Sequence, residues 1–183
     1  MMERCPWCLG NEKMIRYHDE EWGVPVHDDR KQFEFLMMEV MQCGLNWNMM
    51  IQKREIFRTC FDNFGFDKVA VYGEGDIERI MGTDGMIRSR RKIEAVIHNA
   101  QCFQKIREEF GSFSEYIWEL TRGKTYLLYG PPERQHPSQK RSVQPDQCRP
   151  EKAGTEIYGF CHGLFPFAGL RHYQRPLGRV FPI

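Results

Sequence analysis

The stretch YHDEEWGVP, from Tyr17 to Pro25, gathers several groups that can do chemistry. A tyrosine, a histidine, a tryptophan and three carboxylates stand within nine residues that end in Gly and Pro. A solvent-exposed turn rarely carries two large aromatic side chains, and a buried segment rarely carries three acids. The combination therefore predicts that this stretch lines a site.

A second candidate site is the basic turn GTDGMIRSRRK, residues 82–92. Two predicted helices meet there, and a tight turn with Gly82 and Gly85 would aim backbone N–H groups and a helix N-terminus outward, where a phosphate can bind. Cations are unfavourable at a helix N-terminus unless an anion binds there as well. The cations at this end are Arg88, Arg90, Arg91 and Lys92. An ordinary helical hairpin with a solvated basic face remains the alternative.

The pattern CPWC, from Cys5 to Cys8, supports a competing interpretation. A C-x-x-C motif with an internal proline is typical of thioredoxin-like redox proteins, but it needs a strand before it and a helix that starts at the first cysteine. That context is missing from the pattern of this chain. The seven cysteines are irregularly spaced, which in a reducing compartment favours free thiols and metal ligation over a disulfide framework.

Amphipathic helices must position these groups. The strongest apolar period lies between a capping Asp28 or Asp29 and a terminating Gly44. Further helices are predicted over residues 48–64, 76–81 (from a capping Asp76), 88–110 and 113–121. The predicted inward residues are Phe33, Leu36, Met37, Val40, Met41, Met50, Ile51, Phe57, Cys60, Phe61, Phe64, Ile93, Val96, Ile97 and Ala100. No segment alternates with period two, so residues 1–125 are predicted to form an all-α domain.

The composition changes near Thr125. Residues 1–125 contain 18 Lys+Arg and 21 Asp+Glu, whereas residues 126–183 contain 8 and 4 together with eight of the ten prolines. No apolar run is long enough to span a bilayer, and the first residues lack the hydrophobic segment of a secretory signal. We therefore expect a cytoplasmic protein without a membrane partner, and a monomer.

Six linked motifs carry a resemblance to a known family. They are MERCPW, YHDEEWGVP, GLNW, QKREIFR, FDKVA and MIRSRRKIEAVIHNA, in this order along the chain. Together they resemble the DNA-3-methyladenine glycosylase I family of the helix-hairpin-helix superfamily, almost without gaps from Met2 to Thr125. The resemblance implies an all-α helix-hairpin-helix DNA glycosylase fold. It also implies an enzyme that excises 3-methyladenine from alkylated double-stranded DNA by base flipping and hydrolysis of the N-glycosidic bond.

The resemblance further implies roles for single residues. Glu39 matches the carboxylate that reads the base, and Tyr17, Trp22 and Trp47 match aromatic walls of its pocket. Trp7 aligns with another aromatic residue near that pocket. The hairpin residues Gly82, Gly85, Arg88, Arg90, Arg91 and Lys92 would hold the DNA backbone. Asn46 departs from the serine more usual in the family, which would alter a local hydrogen bond.

A structural zinc ion is also implied by the resemblance. Cys5 and His18 match two of its four family ligands, and the other two family ligands are missing from this chain. Cys8 is a candidate third ligand, with a fourth among Cys148, Cys161 and His162. Structural zinc contributes strongly to folding in small domains.

The chemistry of the reaction needs these residue types. Adenine methylated at N3 is cationic, so its glycosidic bond is already weakened, and recognition can supply most of the catalysis. The flipped base stacks between aromatic faces, which attract a cation by roughly 0.5–2 kcal/mol each. Glu39, at the border of a predicted apolar helix face, would favour the positive base over neutral adenine. A helix-hairpin-helix DNA-binding module without catalysis is the alternative.

Residues 126–183 do not match the family and are predicted to form an irregular, Pro-rich and poorly ordered tail. Codons for Glu156 to Pro176 can be chosen so that the same nucleotides, read one base later, encode the family's own sequence there. We therefore hypothesise a reading-frame shift near Thr125. Loss of the family's last helices and zinc ligands is expected to impair stability and activity.

Overall fold

The structure is a computed structural model that describes residues 4–120. Its α-helices are α1 (Glu12–Glu20), α2 (Asp29–Gln42), α3 (Trp47–Cys60), α4 (Phe66–Val69), α5 (Glu74–Gly82), α6 (Arg90–Phe110) and α7 (Phe113–Leu120). Two short 3-10 helices cover Pro6–Cys8 and Asp62–Phe64. No strand occurs within residues 4–120, so the predicted all-α class is confirmed for that range. None of its helices is long and apolar enough to cross a membrane.

The described residues divide between two compact units. The first unit contains residues 4–25 and 117–120, and the second contains residues 26–116. The proposed boundary at Thr125 and the tail, residues 126–183, lie outside the described residues.

Phenylalanine rings fill the core of the second unit. The ring of Phe33 on α2 contacts those of Phe64, Phe66 and Phe103, with centroids 4.9–6.3 Å apart. Phe103 on α6 also stacks on Phe113 at 3.8 Å. Edge-to-face and offset pairs of this kind add to the free energy gained by burying the rings. The core therefore joins α2, α4, α6 and the start of α7 around one aromatic cluster.

Helix α2 matches its prediction closely. Asp28 caps it by accepting a hydrogen bond from the backbone N–H of Lys31 at 2.8 Å. Asp29 instead accepts hydrogen bonds from the backbone N–H groups of Phe113 and Ser114, at 3.0 and 2.8 Å. Each aspartate therefore satisfies N–H groups at the start of a different helix, α2 or α7.

Three predicted helix boundaries need correction, and one of them is the start of α6, which is Arg90 and not residue 88. The helix predicted over residues 48–64 ends at Cys60, because Asp62, Asn63 and Phe64 adopt left-handed backbone conformations with φ of 48°, 53° and 58°. Helix α5 begins at Glu74, before the predicted cap Asp76. The Asp76 carboxylate lies in the first turn and accepts a hydrogen bond from the backbone N–H of Gly73 at 3.2 Å.

Candidate active site and DNA interface

Helix α1 and the turn after it present the YHDEEWGVP stretch in the first unit. Asn11 caps the helix by accepting a hydrogen bond from the backbone N–H of Met14 at 2.9 Å. At the other end, the Tyr17 carbonyl accepts hydrogen bonds from the backbone N–H groups of Glu21 and Trp22, at 3.0 and 2.8 Å. The chain then turns through Gly23, with φ of +77°, which a glycine adopts at little cost.

Four aromatic rings meet at this turn. Trp7 contacts Trp22 edge to face at 4.9 Å, and it also contacts Tyr17 at 6.4 Å. The His18 ring stacks on Trp22 at 5.4 Å and lies 5.2 Å from Trp7. Tyr17 is only 4% exposed, whereas Trp7 is 42% exposed. The structure thus brings together Trp7, Tyr17 and Trp22, three of the predicted pocket residues.

The His18 imidazole is buried, and one of its two ring nitrogens contacts a carboxylate. Its Nδ1 lies 2.8 Å from Oδ1 of Asp19, and the second carboxylate oxygen of Asp19 accepts a hydrogen bond from Arg4 Nε at 2.9 Å. The hydrogen bond from Arg4, followed by that from His18, lowers the pKa of the Asp19 carboxyl. Among the described residues, no hydrogen-bond partner reaches His18 Nε2. The Nε2 lone pair or proton is thus held in a fixed direction inside the protein.

The predicted zinc ligands Cys5 and His18 are both buried in the first unit. Cys5 and Cys8 are buried, and the Cys8 thiol donates a hydrogen bond to the Cys5 carbonyl at 3.0 Å. A buried imidazole nitrogen whose partner nitrogen contacts a carboxylate is an arrangement that suits a metal ligand. Residues 4–120, however, contain no group of three His, Cys, Asp or Glu side chains placed to hold a metal ion. They do not by themselves fit a four-ligand zinc site.

The redox interpretation of Cys5 and Cys8 finds no support in this unit. The motif runs into a 3-10 helix, Pro6–Cys8, and no strand precedes it within the described part of the chain. Burial, followed by the charges of Cys5 and Asp19, raises the pKa of the Cys8 thiol. A raised pKa is the opposite of what a reactive C-x-x-C pair requires.

Glu39 and Trp47 both belong to the second unit. Glu39 is half-buried in the last turns of α2, between the buried Met38 and Val40, as predicted for a border position. Trp47 is the first residue of α3 and is also half-buried. Asn46 caps α3 by accepting a hydrogen bond from the backbone N–H of Met49 at 2.8 Å. Serine is an equally good cap, so Asn46 can take over that hydrogen bond.

Helices α5 and α6 form the predicted hairpin, joined by residues 83–89. Gly85 has φ of +75°, and a Cβ atom there would lie 2.8 Å from Cδ1 of Ile56. Its carbonyl accepts a hydrogen bond from Lys53 on α3. The left-handed backbone conformation therefore favours glycine, and the end of the Ile56 side chain would have to move to accept a Cβ atom.

The four cations of the hairpin differ in their surroundings. Arg90 forms ion pairs with three glutamates, with N–O distances of 2.9 Å to Glu74, 2.7 Å to Glu78 and 3.4 Å to Glu94. Lys92 donates hydrogen bonds to two main-chain carbonyls of the α2 end. Arg88 and Arg91, by contrast, are exposed and form no ion pair or side-chain hydrogen bond within residues 4–120. These two cations are the ones left available for an anion.

Two further residues organise these sites, and only Asp19, as one of the three carboxylates of the YHDEEWGVP stretch, is indicated by the sequence. Lys53 supports the hairpin turn from α3, and Asp19 joins His18 to Arg4. The position of Asp19 next to His18 is a signal in the sequence. Lys53 lies 32 residues from Gly85, so nothing local indicates its contact.

An aromatic cluster, a half-buried carboxylate and a basic hairpin on an all-α fold are the features of a helix-hairpin-helix protein that acts on nucleic acid. The family model of methyladenine glycosylases matches residues 7–144. This chain therefore belongs to the methyladenine glycosylase family.

Individual relatives agree with this assignment. The chain is 33% identical over 171 residues to DNA-3-methyladenine glycosylase 1 of Escherichia coli (strain K12), covering 92% of this chain and 91% of the relative. It is 36% identical over 138 residues to DNA-3-methyladenine glycosylase of Haemophilus influenzae, covering 75% of each. A similar solved structure is a tyrosine-to-phenylalanine variant of 3-methyladenine DNA glycosylase I in complex with 3-methyladenine. Its TM-score is 0.65 at 32% identity, over 68% of this chain and 67% of that chain.

The family match and the alignment to the Escherichia coli relative both run past Thr125. The proposed reading-frame shift stays a prediction.

Proposed function

We propose that this chain is a DNA repair N-glycosylase that excises 3-methyladenine from alkylated double-stranded DNA, acting as a cytoplasmic monomer. The observation that carries the proposal is the family match over residues 7–144, which includes the aromatic turn, Glu39, Trp47 and the hairpin. The relatives named as DNA-3-methyladenine glycosylases support the same reaction. The predicted roles of single residues stay predictions.

The reaction follows from the charge of the damaged base. Methylation at N3 leaves the base cationic, so the N-glycosidic bond breaks with both electrons returning to the base, which leaves neutral. Water supplies a hydroxyl group to C1′ of the sugar and releases a proton. Because the leaving group is already activated, the protein needs to extrude, bind and orient the base more than to protonate it.

The described residues supply groups suited to these tasks. The ring faces of Tyr17 and Trp22 would attract the cationic base by roughly 0.5–2 kcal/mol each. The Glu39 carboxylate would accept hydrogen bonds from the amino edge of the base and favour its positive charge. Arg88, Arg91 and the backbone N–H groups of the hairpin turn would contact phosphates, since these two arginines have no partner within residues 4–120.

A direct test measures the release of free 3-methyladenine from methylated duplex DNA by the purified chain and by its Glu39→Gln variant. We expect release by the chain and a loss of about 100-fold or more in the variant, with duplex affinity largely kept. Binding without release by both the unaltered chain and a frame-restored version would instead support the non-catalytic DNA-binding module. The predicted impairment by residues 126–183 is tested in the same assay against a frame-restored version.

We also propose that one structural zinc ion is bound through Cys5 and His18. The buried Nε2 of His18, without a hydrogen-bond partner among the described residues, supports this proposal. Cys8, the candidate third ligand, does not form a metal-holding group with Cys5 and His18 within residues 4–120. Further ligands would have to come from Cys148, Cys161 or His162, outside those residues. Bound there, zinc would stabilise the fold of the first unit, and the reaction above needs no step at the metal.

A further inference from the structure

Lys92 is the third residue of α6, in the basic turn, yet its ammonium group contacts the end of another helix. Its Nζ lies 2.7 Å from the carbonyl oxygen of Met41 and 2.7 Å from that of Cys43. Met41 lies in the last turn of α2, which ends at Gln42, and Cys43 is the C-cap residue that follows it. Lys92 therefore connects the start of α6 to the end of α2.

The contact provides a hydrogen-bond donor for backbone carbonyls at the C-terminal end of α2. The last carbonyls of a helix have no partner inside it, and they carry partial negative charge that favours a cation. The Val40 and Gln42 carbonyls already accept hydrogen bonds, from the backbone N–H groups of Cys43 at 3.4 Å and Leu45 at 2.5 Å, respectively. The last turn of α2 has no basic residue of its own, so Lys92 supplies the cation from α6.

The position of this contact matters for the base-reading residues. Met41 follows Glu39 by two residues, and Cys43 precedes Trp47 by four. Lys92 thus holds the segment between the carboxylate and the tryptophan. A second lysine makes the reverse connection, from the helix that begins at Trp47 to the hairpin. Lys53 on α3 donates a hydrogen bond to the Gly85 carbonyl in the hairpin turn.

We propose that Lys92 and Lys53 are positioning residues that fix the hairpin relative to Glu39 and Trp47, and that Lys92 is not a phosphate contact. The inference rests on the proposed function, in which the hairpin holds the DNA backbone while Glu39 reads the base. A phosphate bound at the hairpin then lies at a set distance from Glu39 and Trp47. Small misplacements of reacting groups lower rates steeply, by about 100-fold for 1 Å.

Salt dependence separates the two roles of a lysine. A cation that neutralises one phosphate contributes about −0.9 to the slope of log affinity against log salt concentration, whereas a lysine that contacts only protein carbonyls contributes nothing. We therefore compare Lys92→Met with the unaltered chain in two measurements. One is duplex affinity between about 50 and 200 mM salt, and the other is the single-turnover rate of 3-methyladenine release at saturating protein.

For Lys92→Met we expect the unaltered salt slope and a rate lower by about tenfold or more. Lys53→Met should behave in the same way, and it keeps the test decisive if Lys92→Met unfolds. Lys92→Arg, which retains hydrogen-bond donors, should recover part of the rate. A slope that flattens by about 0.9, or an unaltered rate in a folded Lys92→Met, would overturn the inference.

Two matched variants calibrate the comparison. Arg91→Met, at an exposed cation next to Lys92, should flatten the slope by about 0.9. Lys105→Met, at an exposed lysine farther along α6, should change neither the slope nor the rate. If neither the unaltered chain nor a frame-restored version releases 3-methyladenine, the proposed function fails, and the salt slope of Lys92→Met still decides whether this lysine contacts phosphate.

Discussion

Arg54 forms a bidentate ion pair with Glu34 inside the second unit: its Nε lies 2.8 Å from one carboxylate oxygen and its Nη2 lies 3.0 Å from the other. Arg58 Nε adds a contact of 2.7 Å to the same carboxylate. Both Glu34 and Arg54 are buried. Because Glu34 is on α2 and the arginines are on α3, this ion pair fastens together the helices that carry Glu39 and Trp47.

The pair predicts a loss of stability in acid. Burial by itself raises the pKa of Glu34, but the hydrogen bonds from Arg54 and Arg58 outweigh it and lower this pKa from 4.5 to about 2. A carboxyl with a depressed pKa stabilises the fold above its unfolded pKa, and this contribution is lost as the pH falls towards the folded pKa. We expect the free energy of unfolding to drop by roughly 3 kcal/mol between pH 5 and pH 2, measured by urea denaturation.

Glu34→Gln should be costly at neutral pH. It leaves the Arg54 guanidinium buried without its counter-charge, which costs about 3–5 kcal/mol. Urea denaturation at pH 7 measures this loss. The drop in the free energy of unfolding between pH 5 and pH 2 should also be smaller in the variant. Glu55→Gln is the control, because this exposed partner of Arg58 should contribute less than about 1 kcal/mol. Equal losses in the two variants would contradict the assigned role of the buried pair.

Gly85→Ala should disturb the hairpin. Alanine costs roughly 1–2 kcal/mol in the left-handed conformation, and its Cβ atom would meet Ile56 Cδ1 at 2.8 Å. We expect a lower melting temperature together with weaker duplex binding, because the strained backbone and the displaced Ile56 side chain disturb the turn. Gly75→Ala on α5, with open space around the added atom, should be neutral or slightly stabilising. Recovery of part of the loss in Gly85→Ala/Ile56→Val would identify the steric component; no recovery would assign the whole loss to the backbone.

Local signals in the sequence were sufficient for α2, where an apolar period, a cap and a terminating glycine agree. Helix α1 was not predicted, although Asn11 caps it and Met14, Tyr17 and His18 follow at helical spacing. Its nine residues are mostly polar, so the apolar period is too short to stand out. The chemistry of the YHDEEWGVP stretch was thus easier to predict than the helix that presents it.

Partners distant in the chain could not be predicted. The basic turn indicated four phosphate contacts, but Lys92 contacts carbonyls 49 and 51 residues away, and Arg90 pairs with Glu74 and Glu78. A run of cations shows how many charges are present, whereas the packing of α2, α5 and α6 decides which charges are already neutralised. Of these four cations, Arg88 and Arg91 are the two without an ion pair or side-chain hydrogen bond within residues 4–120.

The aromatic turn predicts that ring faces matter more than ring size. Trp22→Leu should lower the single-turnover rate of 3-methyladenine release by roughly 2- to 30-fold, the equivalent of about 0.5–2 kcal/mol of lost cation–π attraction. Trp22→Phe keeps a ring face and should lose less. A loss in Trp22→Phe as large as that in Trp22→Leu would argue that Trp22 acts through its packing against Trp7 instead. Melting temperatures of both variants provide the folding control.

Metal analysis tests the proposed zinc ion without relying on activity. We expect the purified chain to hold about one zinc per molecule, and we expect His18→Gln to lose it, because the amide replaces the imidazole nitrogen that the protein leaves unpartnered within residues 4–120. Chelation should lower the melting temperature of the unaltered chain, since metal binding and folding are coupled. His27→Gln, at an exposed histidine, should keep the metal. A chain that holds no zinc and melts at the same temperature with and without chelator would show that Cys5 and His18 do not form a metal site. The contacts with Asp19, Trp22 and Trp7 would then be what keeps the buried imidazole in place.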